Sequence, residues 1–141
     1  MSAPRPVYLG NYPNNRDTDW TDGLQGVAHD EAHWYFTQKT KIFKFHVTTP
    51  LTRGSGAAVE MARMPSVLAR AGGDHFGDPD FVRWRRRGYL LIPVEGEKKD
   101  TQLNKRPRLA VFSTDGGLRF VGAAAMPRQN SARGTGRAGW C

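Results

Sequence analysis

Apolar and polar residues along this chain alternate over short stretches, and the alternation is broken repeatedly by Gly, Pro, Asn and Asp. In Lys41-Ile42-Phe43-Lys44-Phe45-His46-Val47, Ile42 and Lys44 fall on one face and Phe43, Phe45 and Val47 on the other. A period of two marks a half-buried strand, here with Phe43, Phe45 and Val47 as its core side and His46 at the surface. Two more strands precede it. Leu24–Ala28 is short and runs into a turn at His29-Asp30-Glu31-Ala32, and His33–Gln38 holds the aromatic run Trp34-Tyr35-Phe36, a composition that fits a pleated surface. Upstream, residues 1–23 scatter Tyr8, Tyr12 and Trp20 among turn formers and read as an extended lead-in with turns at Pro13-Asn14-Asn15 and Thr21-Asp22-Gly23.

One segment carries a helical period. Val59, Met61, Met64, Val67 and Leu68 recur at three- and four-residue spacing between residues 57 and 71, but Pro65 interrupts them and Gly72-Gly73 ends the run. One or two short helical turns are expected there. A second set of strands follows, at Asp74–Phe81, Gly88–Val94 and Arg108–Phe112. The turn Thr114-Asp115-Gly116-Gly117 then leads into Leu118–Gly122. Two strands around an Asp-Gly turn predict a hairpin.

Placing Gly26 beside Gly77 sets the two groups in the same order, with a period of about 50 to 60 residues, the range of propellers and other arrays. The segments Gln25–Asp30, His33–Gln38, Asp74–Asp78, Gly88–Gly96 and Arg108–Phe112 resemble blades of six-bladed β-propellers of the lactonase and NHL-like kind, and of uncharacterised bacterial propeller proteins. The resemblance spans residues 24 to 126. It implies an all-β, propeller-like chain of about two four-stranded blades, with one short helical insertion near 57–71. The divisions are a lead-in at 1–23, a first unit at 24–71, a second at 72–127, and an irregular tail at 128–141. Within that tail, Gly139-Trp140-Cys141 would open a third inner strand. A single-chain propeller needs four or more blades, which leaves a fragment, a ring of several copies or a remnant as alternatives.

Composition changes this picture in three ways. With 38% hydrophobic residues, 16 Gly and 9 Pro, and a mean hydropathy of -0.61, the chain favours turns over long helices. A formal net charge of +8, from 21 Lys and Arg against 13 Asp and Glu, favours anionic partners. The excess lies in Arg83-Trp84-Arg85-Arg86-Arg87, in Lys105-Arg106-Pro107-Arg108 and at Arg128, Arg133 and Arg137. These are read as loops whose charges are either solvated or a binding face. Cys141 is the only cysteine, so no intramolecular disulfide forms. No export signal and no stretch of about 20 apolar residues appears, and a soluble, cytoplasmic protein is the default expectation.

Candidate chemistry gathers where the resemblance places inner-strand ends: His29, Asp30 and Glu31 in the first unit, Asp74, His75, Asp78 and Asp80 in the second. Inner strands of a propeller converge on its channel, and oxygen donors there could hold Ca²⁺ and polarise an ester carbonyl. Asp78 and Asp80 are the candidate metal ligands, and turn capping through backbone amides is the competing role. The same resemblance therefore offers a metal-dependent lactonase or esterase. His29, His33 and His75 lack zinc spacing, no Ser lies in a nucleophile elbow, and a terminal Cys141 has no paired base. Trp84 and Arg85 have the composition of a single-strand nucleic-acid contact. Three functions stand side by side: a non-catalytic binding module of unknown ligand, a calcium-dependent hydrolase, and nucleic-acid binding through basic loops.

Overall fold

The computed structural model describes residues 5–7, 20–51, 54–96 and 107–126, and the described chain is all-β, in two antiparallel sheets. The turn at residues 13–15, the tail from 128 and the expected third inner strand at Gly139–Cys141 lie outside the described residues.

The first sheet joins β1 (Gly26–His29), β2 (His33–Thr37), β3 (Lys41–His46) and β4 (Glu60–Arg63), each beside the next in chain order. Both faces of its central strands are buried, which corrects the half-buried reading of 41–47. Ile42 and Lys44 belong to the core together with Phe43 and Phe45, while Val47 lies just past the strand and is 37% exposed. Lys44 tolerates burial because its Nζ donates to the Thr114 carbonyl at 3.1 Å and lies over the Tyr35 ring. On the outer face, Trp20 stands 4.5 Å from Phe36 and 5.1 Å from Phe45, ring centre to ring centre, and closes a small aromatic core with Phe43.

The helical expectation for 57–71 holds only for α1 (Ser66–Arg70), where Pro65 occupies the N-cap. Proline has no N–H to give to a helix interior. Residues 60–63 instead form β4, pairing Ile42 with Ala62 and Phe43 with Met61. Leu68 is the one buried apolar residue of α1.

The second sheet has β7 (Arg87–Glu95) at its heart, flanked by β8 (Arg108–Ser113) and then β9 (Arg119–Ala125). Two short strands, β5 (His75–Phe76) and β6 (Asp80–Trp84), pair with opposite ends of β7 and together fill one strand position. Gly77, Asp78 and Pro79 make the break between them. Arg83 and Trp84 are therefore strand residues and Arg87 opens β7, so the basic run expected as a loop is mostly strand with a two-residue turn. The Asp115-Gly116 hairpin forms as expected, with Gly116 and Gly117 at positive φ.

The sheets pack face to face. Ala28, Tyr35 and Ile42 meet Phe76, Leu90, Ile92, Val94, Ala110 and Phe112 in a single apolar cluster. Tyr35 stacks on Phe81 with ring centres 6.1 Å apart, and the Leu118 amide donates to Glu60 Oε1 at 2.8 Å. At the edge, the Val27 amide donates to Asp78 Oδ1 at 3.1 Å and Thr37 Oγ1 donates to the Gly77 carbonyl at 2.9 Å. This approach requires glycine at 26, because a Cβ there would meet Asp78 and Pro79 backbone and ring atoms. Among the described residues no helix is long and apolar enough to cross a membrane.

Candidate functional site

The sequence-derived candidates fall into three separate settings. Asp30 follows β1 and acts as a turn cap: Oδ1 accepts the amides of Ala32 and His33 at 2.7 Å each, and Oδ2 accepts the Tyr35 hydroxyl at 2.6 Å. His33 Nδ1 lies 3.3 Å from the same carboxylate. Burial pushes the Asp30 carboxyl up, yet the bonds from Tyr35, Ala32 and His33 and the nearby His33 charge outweigh it and hold the group below its ordinary value. The Tyr35 hydroxyl is pushed well above its ordinary range, by burial first and then by its bond to Asp30. His29 is exposed at the end of β1, its Nδ1 3.1 Å from the Asp30 carbonyl. This cluster is satisfied internally.

The second setting is the broken strand. His75 Nδ1 lies 2.8 Å from Asp74 Oδ1, and Asp78 is occupied by the Val27 amide. Asp80, the other candidate metal ligand, opens β6 on the sheet's outer face, since its strand partner is Leu91. Among the described residues no group of three or more His, Cys, Asp or Glu side chains could hold a metal ion.

The third setting does gather side chains around open space. Cross-strand pairing puts Trp84 beside Arg87, then Val82 beside Tyr89, then Leu91 beside Val111, all on the face of the second sheet turned away from the core. A β-bulge between Val111 and Phe112 brings Val121 onto the same face. All of these side chains except Arg87, together with Arg83, line a groove of about 470 Å³. Trp84 is 59% and Val121 61% exposed. At one end stand Arg83, Arg85, Arg86, Arg87 and Arg119, all exposed. The Arg85 guanidinium sits 4.4 Å from the centre of the Trp84 ring, a cation–π contact.

The turn that carries those arginines is strained. Arg85 and Arg86 form a two-residue hairpin loop at φ 48° and 65°, the type I′ geometry that Asn-Gly adopts at little cost. Each non-glycine residue so held costs on the order of 1 kcal/mol or more. Replacing Arg85-Arg86 by Asn-Gly is therefore expected to stabilise the fold by about 1–2 kcal/mol, read as a higher urea midpoint. An unchanged or lower midpoint would show that the turn bears no strain.

Sequence reasoning identified Trp84 and Arg85 but missed Val82, Leu91, Val111 and Val121. The available signal was in β7, where Gly88, Leu90, Ile92 and Val94 alternate with Tyr89, Leu91 and Pro93. A strand apolar on both faces needs a cover on both.

No family model matches the chain, and neither the curated proteins nor the solved structures yield a match.

Proposed function

We propose that this chain is a non-catalytic binding module, two propeller-like blades in resemblance, that takes its partner on the outer face of the second sheet. The observation that carries this reading is the groove itself: six contiguous apolar or aromatic side chains, Trp84 and Val121 exposed and the other four half-buried, beside a strained arginine turn. Contiguous exposed apolar surface rimmed by polar residues is characteristic of interaction sites. Strain retained in the adjacent turn, where a relaxed sequence is available, supports a role for the arginines. The internally bonded settings of Asp30 and Asp78 support structural work at those positions rather than catalysis.

A small probe with matching chemistry tests the face whatever its natural partner. Anilinonaphthalene sulfonate joins fused apolar rings to a sulfonate, and native protein at neutral pH is expected to bind it saturably. Trp84→Ala and Val121→Glu, both at exposed positions, should weaken that binding about tenfold while leaving the thermal midpoint close to wild type. Dye binding that ignores both substitutions would overturn the assignment of the face.

A further inference from the structure

Resting on that reading, we infer that the occupant of the groove is an acidic, amphipathic protein segment, with large aliphatic side chains on one face and carboxylates toward the arginine end. The floor is mainly aliphatic: Val82, Leu91, Val111 and Val121, with Tyr89 and Trp84 at one end. Aliphatic side chains reward burial of aliphatic partners by area removed from water, whereas bases gain most from a succession of aromatic platforms. Here the exposed Trp84 indole already carries the Arg85 guanidinium on a ring face.

Charge fixes the polarity. Arg83, Arg85, Arg86 and Arg87 cluster at the hairpin, and Arg119 shares a row with Val82, Tyr89 and Ser113. Asp80 stands one row further along, beside Leu91. A bound segment thus meets concentrated positive charge at one end and an acid at the other, so its own carboxylates belong at the hairpin end.

The same charges argue against this chain as its own partner. Two copies meeting through this face would bring arginine clusters into a shared interface. Meeting through the outer face of the first sheet, the second copy would offer aromatics already covered by Trp20. Residues 127–141 carry Arg128, Arg133 and Arg137 and no acidic residue, the wrong sign for an arginine-rimmed groove.

The experiment uses the full chain and a labelled synthetic Leu/Glu peptide with leucines at helical i, i+3, i+4, i+7 spacing, followed by fluorescence anisotropy. Binding is expected, weakened about tenfold by Val121→Glu or Trp84→Ala and several-fold by Arg87→Glu or by raised salt. Equal affinity for a scrambled peptide, or for one with Lys in place of Glu, would overturn the inference. So would peptide binding that the face variants leave unchanged. A thymidine oligonucleotide that binds more tightly, with the same sensitivity to Trp84→Ala, would assign the face to nucleic acid instead. A wild-type dimer in sedimentation, dissolved by Val121→Glu, would assign it to a second copy. Dye binding retained at the face with no peptide binding defeats this inference alone, whereas loss of both defeats the reading beneath it.

Discussion

Trp20→Ala is expected to destabilise the fold by about 3–5 kcal/mol, the range for removing a large aromatic from a packed core. Trp20 is fully buried, although it precedes the first strand by several residues. Its ring fills the space over Phe36 and Phe45 at 4.5 and 5.1 Å, and the turn that follows is fastened by Gln38 Nε2 donating to the Asp22 carbonyl at 2.8 Å. Without the indole, the outer face of the first sheet would expose Phe36 and Phe45. A domain of this size has about 5–15 kcal/mol in total, so the variant should lose roughly a fifth of it or more. Urea unfolding followed by far-ultraviolet circular dichroism would measure the loss, with Trp20→Phe as the conservative companion. A loss below about 1 kcal/mol for the alanine variant would show that the ring is not part of the core.

Asp30→Ala should cost about 3 kcal/mol, because one carboxylate accepts two backbone amides and a phenol, and bonds to a charged acceptor contribute more than neutral ones. Asp30→Asn keeps an acceptor for the two amides and should cost less. The acid limb of stability separates these effects. Because the folded carboxyl titrates below its ordinary value, its contribution is present above the usual carboxylate range and is lost as pH falls through the folded-state value. The asparagine variant should therefore show a flatter decline in acid than wild type, measured as urea midpoints across pH. Tyr35 acts at the other extreme: its raised value gives a contribution that is whole below about pH 10 and fades as pH climbs above it. An acid limb in Asp30→Asn as steep as that of wild type would contradict the assigned role.

How much of this was legible in the sequence depends on what the local residues alone determine. The Asp115-Gly116 turn was legible because Gly is the residue that turn geometry calls for. The aromatic strand around Tyr35 was legible from composition. Strand β4 was not: Glu-Met-Ala-Arg prefers helix, and only pairing with β3 makes it a strand. The turn at Arg85-Arg86 was hidden for the opposite reason, since neither residue signals positive φ. Trp20 looked like one more aromatic in a loose leader, and its burial depends on a sheet built from residues further along. The candidate site followed the same division: exposure of Trp84 could be read locally, whereas the rest of the groove depends on the register of three strands and a bulge.

The shared cluster between the sheets has a further meaning. Ala28, Tyr35 and Ile42 from one sheet, and Leu90, Ile92 and Phe112 from the other, shield one another and have no separate interiors on that side. Each meander is assembled from neighbours in sequence, so its hairpins can form early and independently, but none of them is protected until the two halves meet. Amide exchange in β2 and β7 should consequently slow together, at the free energy of global unfolding. A chain that reads as two successive units would then behave, in its openings, as one.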